Sequence, residues 1–203
     1  MYVPKINQID DPAALLDYMR AYPFAALVSS GPGGLTATHL PFVIEEEAGR
    51  ITLLAHMAKA NPQWRDFAAG AEALVIFMQP HAYVSPRLYD SRQNVPTWNY
   101  VAVHAYGRPL LIEERAAKIE LQKKLIRQLD AGYLEQMAGL PEGYLDARLA
   151  AIVSFSLAVT RIDARYKLSQ DKNPAERERI ARALEASGEG VAAETARLMR
   201  KHR

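Results

Sequence analysis

The chain has 203 residues, enough for one domain or for one domain with an appendage, and 49% of them are hydrophobic, which is ample for a core. Charged residues make up 24% and the net charge is +2, so no global field draws the protein to nucleic acid or to a membrane surface. The absence of cysteine excludes disulfides, iron–sulfur clusters, thiolate zinc and a cysteine nucleophile. No apolar run approaches a membrane span and the first residues lack a signal pattern, so a soluble, cytoplasmic chain without a membrane partner is expected.

Asp10-Asp11-Pro12 predicts a capped helix with proline in its first turn, ending at Tyr22-Pro23. Phe24 to Ser29 predicts a strand, Gly31-Pro32-Gly33-Gly34 a turn, and Leu35 to Ile44 a second strand. Glu45 to Gly49 makes a polar hairpin tip, and Arg50 to His56 returns as a third strand. Asn61-Pro62 caps a short helix ending at Gly70, Ala73 to Gln79 is another strand, and Pro80 to Val95 is a long loop. An aromatic strand follows Pro96. From Glu113 the period becomes helical, with Ala116, Ile119, Gln122, Ile126 and Leu129 marking one side. Residues 131–149 predict short helical pieces, Ala150 to Ile162 a long strand, and Pro174 onward a helical tail broken near Ser187-Gly188-Glu189-Gly190. This order suggests a mainly β protein with flanking helices (α+β), a small Greek-key β-barrel with helices outside. The expected organisation is a barrel domain over 1–170, with a helical insertion at about 113–149, and a helical tail over 171–203.

In the aromatic strand Trp98, Tyr100, Ala102, His104 and Tyr106 share one face, and Asn99, Val101, Val103 and Ala105 the other. The small aliphatic face belongs against a core. The aromatic face suits a flat ligand or a partner subunit. Thr36 and Thr38 share a face of the second strand, with His39 opposite, beside the glycine-rich turn. The third strand ends at His56 and runs into Lys59 and Asn61-Pro62, where a cation precedes a helix start. Together these donors could hold a terminal phosphate, although each is also an ordinary β-former, surface charge or cap. Lys167, Ser169 and Gln170 end the last long strand as donors suited to a heteroatom-rich ring or a phosphate.

No G-x-G-x-x-G after a strand, Walker sequence, H-E-x-x-H or G-x-S-x-G occurs. The five histidines lack metal-site spacing, so no protein metal site is expected, but one histidine would suffice as a haem axial ligand. No catalytic residue can be assigned from spacing alone. The tail from Lys172 carries eight Lys or Arg against five Glu and no evident helix-turn-helix, so direct DNA binding stays open.

In chain order, Met1-Tyr2-Val3-Pro4, His39-Leu40-Pro41, Lys59-Ala60-Asn61-Pro62-Gln63-Trp64, His81-Ala82-Tyr83-Val84-Ser85-Pro86, Pro96-Thr97-Trp98-Asn99-Tyr100 and Tyr166-Lys167-Leu168-Ser169-Gln170 resemble the PaiB-type family, described as FMN-binding negative transcriptional regulators. The resemblance implies a split β-barrel similar to the pyridoxamine-phosphate oxidase and flavin reductase group, a homodimer, and FMN in a groove between subunits. It implies cofactor contacts among Thr36, Thr38, His39, His56, Lys59, Asn61, Thr97, Trp98, Asn99, Lys167 and Gln170. Two departures stand out: Arg87-Leu88-Tyr89 lacks the family's tryptophan before the tyrosine, and Asp171 replaces a neutral amide. Three functions follow: an FMN-binding regulator, a flavin-dependent reductase or oxidase of a small molecule, and a haem-binding barrel.

Overall fold

The computed structural model describes residues 1–202, the side chains of residues 68 and 69 excepted. Eight strands form one antiparallel sheet with helices flanking it, which is the fold class expected from the sequence. They are β1 (Phe24–Gly31), β2 (Gly34–Pro41), β3 (Val43–Glu47), β4 (Arg50–Ala58), β5 (Ala73–Phe77), β6 (His81–Val84), β7 (Thr97–Ile112) and β8 (Ile152–Lys167). The order is β2-β1-β5-β7-β8-β4-β3, with β6 pairing β7 off that path. The helices are α1 (Pro12–Ala21), α2 (Arg115–Leu129), α3 (Tyr133–Ala138), α4 (Glu142–Ala150), α5 (Pro174–Glu185) and α6 (Gly190–Lys201). The chain divides into two compact units, and the long strands β7 and β8 contribute residues to both.

The first unit holds residues 1–18, 77–104 and 163–202 of the described chain. Its core is built on Tyr166, whose ring lies 5.7 Å from Tyr18 and 4.9 Å from His202. The Tyr18 hydroxyl donates to the Val101 carbonyl at 3.0 Å and accepts from the Gln79 N–H at 3.0 Å. Helix α5 begins in a capping box, in which Asn173 accepts from the Glu176 N–H and Glu176 reaches back to the Asn173 N–H. The buried faces of the tail are Ile180, Ala181 and Leu184 on α5 and Ala192, Thr195, Ala196, Leu198 and Met199 on α6. Val191 has apolar spacing but is half exposed.

The second unit holds residues 19–76 and 105–162. Gly34, at φ +99, closes the β1–β2 turn, where a side chain would be strained. The expected single strand from Leu35 to Ile44 is two strands. Phe42 breaks it, because its N–H donates to the Pro23 carbonyl at 2.9 Å and its own carbonyl accepts from Gln128 at 3.1 Å. Pairing therefore switches from β1–β2 to β3–β4 at that residue. The core joins Phe42, Phe67 and Phe155, with Phe155 5.1 Å from Phe67 and 6.3 Å from Phe42. Helix α2 starts where the Glu114 carboxylate accepts from the Ala116 and Ala117 N–H groups, and it buries Leu121 and Leu125 against Val43 and Leu54.

Candidate functional site

In the first unit β7 keeps the alternation visible in its sequence. Asn99, Val101 and Val103 are buried, whereas Trp98 is 52% exposed and Tyr100 and His104 are partly so. Part of the expected loop after Pro80 is β6, whose register puts His81 opposite Tyr100 and Tyr83 opposite Trp98. The His81 ring lies 5.6 Å from Trp98, and Tyr83 meets Trp98 edge-on at 6.1 Å. Met78, His81, Trp98, Tyr100 and His104 line a groove of about 460 Å³, with flat and largely apolar walls.

Two cations stand beside these residues. Arg165 and Lys167 are two apart on β8 and so share a face. The Arg165 guanidinium lies 5.5 Å from the centre of the Tyr100 ring, and its buried Nε has no acceptor among the described residues. The Lys167 ammonium donates to the Thr97 hydroxyl at 2.5 Å and to the Trp98 carbonyl at 2.6 Å, which leaves one of its three hydrogens. Burial holds the Lys167 pKa below the usual lysine value; Arg165 and Lys172 push the same way and Asp171 opposes them. An anion bound at this ammonium would relieve that penalty.

The rest of the late motif turns inward. Asn99 is fully buried and exchanges hydrogen bonds with the Ser169 hydroxyl, while its Nδ2 also meets the Met199 sulfur at 3.3 Å. Ser169 takes a left-handed backbone, φ +59. Gln170 accepts from the Leu168 N–H at 2.7 Å and from Asn7 at 3.1 Å, and donates to the Tyr166 carbonyl. Asp171 pairs with Lys172 at 3.1 Å.

In the second unit the phosphate-type donors gather around the 3-10 helix at Pro62–Ala69. Asn61 donates to the Thr38 hydroxyl at 2.8 Å and caps the helix by accepting from the Gln63 N–H at 3.0 Å. Buried Gln63 donates to the Leu27 and Thr36 carbonyls and to Ser29. Ser29 donates to Asp66 at 2.8 Å, so a carboxylate stands close by. The exposed Lys59 ammonium has no partner among the described residues, although its carbonyl accepts from Trp64 at 3.1 Å. His39 stacks on Phe24 at 6.2 Å. His56 is drawn elsewhere: its Nδ1 lies 3.2 Å from Gln122 on α2, and burial lowers its pKa below 6.5. The structure thus joins Thr38 to Asn61 in the second unit and Thr97 to Lys167 in the first, while His39 meets Phe24 and His56 meets Gln122.

Residues 1–161 match the family described as "Putative FMN-binding domain". The chain belongs to this FMN-binding family. It is 35% identical over 202 residues to "Protease synthase and sporulation protein PAI 2" of Bacillus subtilis, covering 98% of this chain and 96% of that one. It is also similar to an uncharacterized protein of Emericella nidulans, 26% identical over 88% of this chain and 84% of the relative. Among solved structures, the FAD and heme binding protein from Mycobacterium smegmatis superposes with a TM-score of 0.63 at 18% identity, over 90% of this chain and 80% of that one. The flavocytochrome Anf3 from Azotobacter vinelandii gives 0.60 at 18% identity, over 78% and 67%. At such identity the two structures speak for the fold alone, and they agree with the split-barrel class expected of a PaiB-type, FMN-binding chain.

Sequence reasoning missed three residues at or beside the groove. His81 and Tyr83 sit within an apparent loop, yet His81-Ala82-Tyr83-Val84 alternates exposed and buried as an edge strand does. Arg165 stands two residues before Lys167 in the sequence, and that spacing on a strand is the signal that places both cations on one face.

Proposed function

We propose that this chain binds FMN with the flavin ring on the aromatic groove of the first unit and the phosphate against Lys167 and Arg165, and that it works as an FMN-dependent redox protein. One observation carries this reading: His81, Trp98 and Tyr100 offer flat apolar surface, the Arg165 guanidinium lies 5.5 Å from the Tyr100 ring, and Lys167, bonded to the Trp98 carbonyl, keeps one hydrogen unused. Aromatic faces hold a ring by stacking, while charge-assisted donors hold a phosphate. Trp98 and Tyr100 orient the ring and exclude water, Thr97 fixes the Lys167 ammonium, and Lys167 keeps its remaining hydrogen for an anionic oxygen. Once bound, FMN supplies the electron chemistry, so no acid–base pair of the protein is required. Asn99 and Gln170 serve this site indirectly, by fixing the turn that follows Lys167. Thr36, Thr38, His39, Lys59 and Asn61 of the second unit make the alternative anion site, disfavoured by Asp66 nearby.

Met78, Tyr83 and Trp98 are each about half exposed on this aromatic face, which supports a homodimer in which a second copy covers them. The name of the Bacillus subtilis relative refers to protease synthesis and sporulation, and we read a regulatory role for this chain as working through redox state. Among the described residues of the tail, Arg179 pairs with Asp90, Arg182 and Arg200 with Glu178, and Arg197 with Glu194. Arg177 donates to the Met199 and His202 carbonyls. Such a surface offers little to a phosphate backbone.

Titration of the purified protein with FMN, followed by flavin fluorescence and by co-elution of flavin absorbance, tests the reading. Saturable binding is expected, and its absence refutes the proposal. Steady NAD(P)H oxidation with FMN added would identify a reductase. His81 on the groove favours haem as a second reading, and a Soret band on haem addition would reveal it.

A further inference from the structure

Helix α2 has two apolar faces, and only one is used by the core. Leu121 and Leu125 pack on Val43 and Leu54. The face legible in the sequence, Ile119, Gln122 and Ile126, instead lines a cavity of about 430 Å³ bounded by α3, α4 and the start of β8, all within the second unit. That volume is typical of a small-molecule site. Helices needed only for packing would close such a space, because apolar walls without neighbours forfeit dispersion contacts.

The polar groups at the cavity are few and of one character. Gln122 Nε2 can only donate, so His56 Nδ1 accepts and the neutral ring carries its hydrogen on Nε2. Nε2 has no acceptor among the described residues. Arg148 on α4 supplies positive charge. Its guanidinium lies 5.1 Å from the centre of the Tyr144 ring, without a carboxylate partner among the described residues. Other arginines of the same helical segment are paired, Arg115 with Glu142 and Asp146 and Arg127 with Glu120. Among the described residues that line the cavity there is no Asp or Glu.

We propose that this cavity binds a small hydrophobic carboxylate that carries one further hydrogen-bond acceptor. The apolar body lies against Ile126 and Leu149, the carboxylate pairs with Arg148, and the second acceptor takes the His56 hydrogen. All of its residues belong to the second unit, and the proposal does not rest on the flavin reading.

The probe is 3-hydroxy-2-naphthoate, whose own fluorescence reports binding, with the neutral 3-hydroxy-2-naphthamide as its control. Saturable binding of the acid is expected. Arg148→Gln should weaken the acid about tenfold or more and leave the amide within about threefold, while Arg148→Lys restores most of the affinity. Ile126→Glu should abolish binding of the acid with the circular dichroism spectrum unchanged. FMN titrations of the folded variants should match the parent protein. Absence of saturable binding, equal losses for acid and amide in Arg148→Gln, or loss of FMN affinity in that variant would each overturn the proposal.

Discussion

Replacing Lys167 by glutamine separates the two halves of the proposed flavin contact. The ammonium has one hydrogen left after bonding Thr97 and the Trp98 carbonyl, so it can give a phosphate one charge-assisted hydrogen bond. Such a bond contributes about 1.5–3 kcal/mol, which is roughly a 10- to 150-fold loss of FMN affinity in Lys167→Gln. Riboflavin, which lacks the phosphate, should bind the variant within about threefold of the parent. Trp98→Ala has the opposite signature: stacking of a flat ring on an aromatic side chain contributes about 1–3 kcal/mol, and FMN and riboflavin should weaken together. Fluorescence titration of both ligands against both variants is the assay. The Lys167 pKa adds a pH test, because an ammonium held below the usual 10.5 loses its proton sooner on the alkaline side. FMN affinity of the parent should therefore begin to fall at a lower pH than an ordinary lysine would give, while riboflavin affinity stays level. Equal losses of FMN and riboflavin in Lys167→Gln would refute the phosphate assignment, and no loss of either in Trp98→Ala would refute the ring assignment.

Three stability changes follow from the same packing. Asn99→Ala removes a buried amide and strands the Ser169 hydroxyl, so unfolding in urea should show a loss of about 2–4 kcal/mol. Gly107→Ala drives a methyl group into the Ala158 carbonyl and the Leu157 side chain, and its urea midpoint should drop by the equivalent of about 1–3 kcal/mol. His56 has a folded pKa lowered by burial, so the unfolded chain binds its proton more readily; stability should fall as pH drops below 6.5 and level off beneath the folded value. His202, also lowered by burial, acts with the same sign, so urea unfolding at several pH values should show a shallower acid loss in His56→Gln without abolishing it.

The elements were legible where a single local rule decides them. Asp11 and Pro12 start α1, Glu114 caps α2, and Asn61 and Gly70 bound the 3-10 helix, each through bonds to its own near neighbours. Errors arose where a distant partner decides. Nothing local at Phe42 announces a strand break, since its N–H bonds to Pro23 and its carbonyl to Gln128. Edge strand β6 looks like a loop because prolines flank it, and only its pairing with β7 makes it a strand. On α2 the legible apolar stripe is real, but burial of Leu121 and Leu125 depends on Val43 and Leu54, far away in the chain.

The candidate site divides on the same principle. A list of donors tells which residues can bond, not which bonds the fold has already taken. Asn99, Ser169 and Gln170 satisfy one another or the backbone, so the late motif is chiefly a turn built around a left-handed serine. Its conformation matters to binding because it follows directly on Lys167, whose bonds to Thr97 and Trp98 tie the end of β8 to the start of β7. Ligand-directed capacity is what remains after this accounting: one hydrogen on Lys167, the positive charge of the Arg165 guanidinium beside Tyr100, and a half-exposed aromatic face. That remainder falls beside the strand whose alternation was plainest in the sequence, because a period of two fixes which side chains share a face and does so without help from any distant residue.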